Sequence, residues 1–315
     1  MSLFLACFRG FCSLVFCLNF YILLRMNNTR KPRILITNDD GVKNANLHDL
    51  ASALSPLGEV FVFAPETEQS GVSQAFTVRS PLRVKKVSAS ALHGAGYIAN
   101  DSSELPYEVY SVSGTPADSA KFALGYFAGL TFANANESAL DIHGKPTFDV
   151  CFSGVNVGEN SGVSSLYSGT VAGAREAALW GVPAVALSIS LGGESLMGEV
   201  LDFAKRIVVE RMFDSIPKGT FWNVNFPKAT ADAFKGFSAT KMALGMFTDH
   251  YDSNDASGVD GTWQLDGEKL WDKEPVDSDD YMLHKGYATI TPHRIDQTDV
   301  ESLNRIKMAV NAAEK

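Results

Sequence analysis

Four short runs of unbroken apolar sequence, each stopped by polar or glycine-rich residues, constrain this chain most. They are residues 33–37 (RILIT), 59–64 (EVFVFA), 148–152 (FDVCF) and 184–189 (AVALSI). A strand with one wet face alternates polar and apolar residues, whereas an unbroken run needs cover on both faces. Helical patterns separate the runs. Leu47, Leu50, Ala51 and Leu54 recur on one helical face, 117–129 and 170–180 are rich in alanine, and 197–212 repeats apolar residues at helical intervals. Strands alternating with helices predict a parallel α/β sheet flanked by helices. Right-handed crossovers then place the loops after the strands on one edge, where open α/β sheets bind ligands.

Beyond residue 233 the texture changes. Residues 234–285 are aromatic and polar, with alternation around 263–265 and turn signals at Asp260-Gly261 and Asp266-Gly267. This predicts a β-hairpin extension, followed by a returning strand at 286–291 stopped by Pro292 and then a C-terminal helix. The extension carries Phe234, Phe237, Phe247, Tyr251, Trp263, Trp271 and Tyr281. A hairpin has too little core to bury these rings, so a homodimer or homotetramer built through 234–315 is expected. At the other end, residues 1–25 hold two arginines and no acid, and 11–24 is apolar except for Ser13 and Asn19. That length suits a signal sequence and is short for a membrane span, and no small-residue cleavage pattern follows. A start misassigned ahead of Met26, a signal peptide and an anchor all fit. Membrane contact is expected only if 1–25 is retained; otherwise the expected location is cytoplasmic. The expected division is therefore 1–25, a core at 26–233, and an extension at 234–315.

The charge balance of −9 argues against a chain built to bind a nucleic-acid polymer. The four cysteines are Cys7, Cys12, Cys17 and Cys151, with no CxxC and no HExxH, which removes a disulfide scaffold and a sequence-evident zinc site. There is no GxxxxGK[ST] and no GxSxG. GxGxxA occurs at 94–99, without a clear strand before it or helix after it. None of the histidines falls in the loops that follow the first three runs.

Those loops carry the chemistry. The first run ends at Asn38-Asp39-Asp40-Gly41, and the second at APETEQSG, with Ser70. The third ends at SGVNVGENSG, with Asn156 and Asn160, and Ser168-Gly169-Thr170 then opens an alanine-rich helix. Adjacent carboxylates repel, and one pKa rises unless a cation intervenes. No lysine or arginine lies in these loops before Lys43. One hard divalent cation with oxygen ligands, magnesium or manganese, resolves the repulsion. A solvated Asp-Asp-Gly turn capping the next helix also accounts for the same residues. Ser168 and Thr170, with the free N–H groups of a helix start, read either as an anion site or as an ordinary N-cap. The carboxylates are adjacent rather than spaced D-x-D, which speaks against aspartyl-phosphate chemistry.

Taken together and in order, RILITNDDG, APETEQSGVSQAFTV, VSGTPADSAKFAL, FDVCFSGVNVGENSG, LYSGTVAGAREAALWGVPAVALS and GYATITP resemble the SurE family of survival-protein nucleotidases. The resemblance spans 33–189, with 286–292 as an isolated echo. It implies a Rossmann-like core, a dimer or tetramer formed through the C-terminal extension, and metal-dependent removal of phosphate from nucleoside 5′- and 3′-monophosphates. The family's metal ligands fall on Asp39, Asp40, Ser70 and Asn156. Asn38, Ser168 and Thr170 are then expected to hold phosphoryl oxygens, and Asp39 to take a proton. A polyphosphatase or another metal-dependent phosphoryl hydrolase on the same rim is the alternative enzyme, and a non-catalytic nucleotide-binding protein the alternative outside catalysis. The chain departs from the family at Asn44-Ala45-Asn46, in place of a Pro-Gly turn, and at His293, in place of leucine after Thr-Pro.

Overall fold

Residues Arg33–Thr37 form β1, and all five side chains are buried. The structure, a computed structural model, describes residues 30–93, 104–129, 147–245 and 247–313. The segment 1–25 and the GxGxxA at 94–99 lie outside the described residues. β1 pairs in parallel with β2 (Glu59–Pro65) and β5 (Val150–Val157). From β5 the parallel sheet continues through β6 (Ala184–Ile189) to β7 (Thr220–Phe226). Outside β2 lie β4 (Glu108–Val112), parallel, and the antiparallel edge strand β3 (Val84–Lys86). Outside β7 lies β11 (Ala288–Arg294), antiparallel, with the short β8 (Phe237–Ala239) beyond it. Among the described residues the sheet has nine strands in the order 3-4-2-1-5-6-7-11-8. This is the parallel, helix-flanked architecture that the apolar runs predict.

Both faces are covered, which explains the unbroken runs. Ile34 and Ile36 point into a core with Leu47, Leu50 and Leu54 of α1 (Ala45–Leu54) and with Val200, Phe203 and Ile207 of the later helix Met197–Val209. Leu35, between them, points to the opposite core, with Ala123, Val171 and Ala174. After α2 (Ala89–His93), helix α3 (Pro116–Phe122) starts with a reciprocal Thr115–Asp118 capping box and runs into a π-helical turn at Ala123–Phe127. A single turn, α4 (Ser164–Tyr167), leads into α5 (Gly169–Leu179), and Met197–Val209 is α6. Glycine lets α5 lie hard against the sheet. A Cβ on Gly173 would stand 2.6 Å from Thr37 Cγ2 and 2.7 Å from Ser153 Oγ.

Besides the short, partly exposed β8, three strands of the sheet escape the reading of unbroken runs. β7 (TFWNVNF) interleaves buried asparagines with apolar residues, and β3 and β4 lie toward an edge and are only partly buried. In the extension, β9 (His250–Asp252) and β10 (Gln264–Asp266) pair as a separate antiparallel ribbon. Its connection is long and is held by Asp255, which accepts from the Thr262 N–H at 2.8 Å, so the turn is not a tight Asp-Gly pair. Two of the extension's rings have partners within this chain, although Phe237 stays 40 % exposed. Phe237 stacks on Phe203 at 4.5 Å, and Phe234 lies 5.7 Å from Phe237, so both pack within this chain. Then come α7 (Asp279–His284), β11 and α8 (Val300–Ala313). Among the described residues no helix is long and apolar enough to cross a membrane.

Candidate active site

The loops after β1, β2 and β5 meet on the carboxyl edge of the sheet and are tied to one another. Gln69 N–H donates to the Asp39 carbonyl at 2.7 Å, and Ser73 N–H donates to the Tyr167 carbonyl at 2.9 Å. Asp39, Ser70, Asn156, Asn160, Tyr167 and Ser168 line a cavity of about 290 Å³ there.

Asp39 sits at the start of α5, 5 % exposed. The Thr170 hydroxyl donates to its Oδ1, and the Thr170 backbone also hydrogen-bonds to the carboxylate. Gly169 permits this, since a Cβ there would stand 2.8 Å from Asp39 Cβ. Burial pushes the Asp39 carboxyl above its ordinary value, and the Thr170 hydrogen bonds oppose that rise. Asp40 lies beside it, with Oδ2 buried and without a hydrogen-bond partner among the described residues. Burial first, then the charges of Asp39 and Glu68, push Asp40 up to about 6. None of these three carboxylates forms an ion pair among the described residues. An all-oxygen donor set, a buried unpartnered carboxylate oxygen and two raised acids fit a hard divalent cation.

Ser70 is exposed, and its hydroxyl donates to Glu68 Oε1 at 2.7 Å. Asn156 is aimed by an irregularity in β5, whose register with β6 shifts between Ser153 and Asn156. Gly154 makes this shift with φ +132°, where an added Cβ would stand 2.3 Å from the Leu187 carbonyl oxygen. Asn156 Nδ2 donates to the Gly158 carbonyl at 2.7 Å, leaving its Oδ1 as the unused acceptor. Ser168 caps α5 by accepting from Val171 N–H at 3.1 Å and also lines the cavity, so the N-cap and anion-site readings coexist there.

Asn38 and Thr170 stand differently from expectation. Asn38 is 1 % exposed, and its Nδ2 donates to the Gly41 carbonyl at 3.1 Å, which pins the Asp-Asp turn from beneath. Thr170 is fully buried, with its hydroxyl proton given to Asp39. Both therefore hold ligand-bearing groups in place rather than face the cavity.

Sequence reasoning passed over Glu68 and left Asn160 without a role. Glu68 stands two residues before Ser70, a spacing with no signal of its own. Asn160 is fixed over β6 and β7: its N–H donates to Asn225 Oδ1 at 2.7 Å and its Nδ2 to Ser188 Oγ at 2.9 Å. The loop is also held from the extension. Asp279 accepts from Gly162 N–H at 2.9 Å and from Ala243 N–H at 2.8 Å. Beside it, Lys269 and Asp280 form a buried ion pair, and Lys269 also donates to Ser161 Oγ.

The sequence pattern described as survival protein SurE matches residues 34–249. A protein of Thermosipho africanus named 5′-nucleotidase SurE is 35 % identical over 280 residues, 87 % of this chain and 96 % of that protein. One of the same name from Flavobacterium psychrophilum is 32 % identical, over 85 % of this chain and 93 % of its own length. The crystal structure of the SurE protein from Aquifex aeolicus superposes with a TM-score of 0.67 at 25 % identity, covering 88 % of this chain and 99 % of that one.

Proposed function

The chain belongs to the survival protein SurE family, and on that premise we propose that it is a metal-dependent 5′-nucleotidase. It hydrolyses nucleoside 5′-monophosphates, and by the same chemistry 3′-monophosphates, to nucleoside and phosphate. The observation that carries this reading is the Asp39–Asp40 pair, with one buried unpartnered oxygen and no cationic partner among the described residues, set against the amino end of α5. Asp39, Asp40, Ser70 and Asn156 hold one divalent cation, magnesium or manganese. When bound, the cation offsets phosphoryl charge and acidifies water at neutral pH.

The chain's own groups do the rest. Thr170 and the start of α5 hold Asp39 in one orientation. Asn38 braces the turn that presents Asp40. Ser168 offers its hydroxyl to a phosphoryl oxygen from the positive end of the helix. Asp39 lines the cavity, with its Oδ1 held by Thr170, and is the aspartate placed to accept a proton from attacking water. Preorganised charge compensation of this kind is the main requirement of phosphoryl transfer.

The test is release of inorganic phosphate from a panel of nucleoside 5′- and 3′-monophosphates and short polyphosphates, with magnesium, manganese or EDTA. Metal-dependent release from the monophosphates is expected. Release from polyphosphate alone, or nucleotide binding without turnover, contradicts this reading.

A further inference from the structure

A second cavity, of about 440 Å³, opens on the same carboxyl edge. Its walls follow successive strands: Glu159 after β5, Ser190 and Leu191 after β6, and Lys228 after β7, with Trp271 and His284 of the extension closing it. It adjoins the phosphate cavity, since Glu159 lines one and Asn160 the other. Strands in a sheet are about 4.8 Å apart, so the ends of β1 and β6, two strands apart, are separated by about 10 Å. A mononucleotide reaches about that far from its phosphorus to its base. Two other cavities, of about 350 and 370 Å³, open at the amino ends of β6 and β7 and beside the start of β4, away from the aspartates.

The walls have the chemistry of a ribonucleoside site. Trp271 stacks on His284 with ring centroids 5.6 Å apart and planes at 12°, and Lys269 Nζ lies 4.6 Å from the Trp271 ring centroid. The Trp271 ring is thereby held, and Trp271 and the exposed His284 both line the cavity. Leu191, 70 % exposed, leaves apolar surface at the mouth that a flat base would cover. Glu159 supplies a carboxylate, the group that suits a ribose hydroxyl.

We propose that this cavity is the nucleoside subsite of the enzyme, with the base packed on the His284–Trp271 stack and Leu191, and the ribose hydroxyls bonded to Glu159. The proposal rests on the phosphatase reading for the position of the phosphate.

Steady-state kinetics with AMP, 2′-deoxy-AMP and ribose 5-phosphate test it, together with calorimetric binding of adenosine. Loss of a stacking partner predicts that His284→Ala raises KM for AMP about tenfold. The change for ribose 5-phosphate, which lacks the base, is several-fold smaller. Adenosine binding weakens in parallel, magnesium affinity does not move, and His284→Phe restores KM. Glu159→Gln narrows the gap between AMP and 2′-deoxy-AMP. Turnover of AMP with KM unchanged in His284→Ala, or shifted equally for ribose 5-phosphate, overturns the subsite and leaves the phosphatase reading intact. Absence of turnover from any nucleotide, with adenosine binding that still depends on His284, supports the subsite and removes the phosphatase reading. Adenosine binding indifferent to His284 overturns the subsite.

Discussion

Asp39 and Asp40 are neighbours in sequence with unlike surroundings. The first is held by Thr170 against a helix start, and the second keeps a buried oxygen free. Replacing either with asparagine removes a charged oxygen ligand, and activity should fall at least about a hundredfold. Without metal, the melting temperature should hold or rise, because burial and mutual repulsion both oppose ionisation. Full turnover in both variants would place the metal elsewhere. The pH dependence follows from the same pair. Asp40 is raised from 3.8 to about 6, so the folded protein binds its proton more tightly than the unfolded chain does. Its contribution to stability is complete below about pH 4 and is lost as pH rises through about 6. Metal-free protein should therefore lose melting temperature relative to Asp40→Asn between those values, while magnesium affinity climbs over the same range as the proton leaves. A constant difference between the two proteins across that range would contradict this. Thr170 is a separate test. Thr170→Ala releases Asp39, so magnesium affinity and kcat should each drop about tenfold, the effect of losing a partner that orients a ligand. Thr170→Ser should retain both. The helix cap belongs to Ser168, so no capping loss adds to the about 1–3 kcal/mol that a buried acceptor costs when it loses its donor. A large fall in melting temperature with unchanged kinetics would make Thr170 a purely structural residue.

Between elements, the contact that matters most for the site is α7 against the β5 loop. Asp279 stands at the start of α7 and accepts from Gly162 N–H and Ala243 N–H, one on the loop that follows Asn156 and the other in the extension. Asp279→Ala leaves both donors buried without an acceptor, at about 1–3 kcal/mol each. Relief of a carboxylate whose pKa burial already raises offsets part of that. A lower urea midpoint together with weaker magnesium binding is expected. A lower midpoint with unchanged magnesium affinity would show that the clamp serves the fold and not the loop. This junction is illegible in sequence. Ser278-Asp279-Asp280 reads as a polar helix start, and nothing local says that its carboxylates receive donors from residues 162 and 243. The strands β1 and β6, by contrast, coincide with their apolar runs residue for residue, because burial on both faces demands unbroken apolar sequence.

At the scale of the whole molecule, none of the described residues of α8 belongs to either core. Val300, Leu303, Ile306 and Val310 fall on one side of it and are exposed. Phe247, Tyr251 and Trp263 in the extension are exposed as well. Apolar surface of this kind is expected to be covered by a second copy of the chain. Light scattering on a chain starting at Met26 should report at least twice the monomer mass. Polar replacements at Leu303 and Ile306 should shrink the assembly. A fully active monomer would sink this expectation.

The architecture of the central sheet, the edge on which ligands bind and the acidic pair on it are local properties of the chain. Apolar periodicity, glycine-rich stops and adjacent carboxylates are written within a few residues of one another. The roles of single side chains at the site were decided only in three dimensions. Asn38 and Thr170 carry groups suited to phosphate, yet close packing against Gly41 and Asp39 turns those groups inward. β7 hides its buried strand behind Asn223 and Asn225, whose partner in the fold is Asn160. Hydrogen-bond partners across that distance in sequence leave no periodic trace, because what selects them is the position of the folded backbone and not the neighbouring residues.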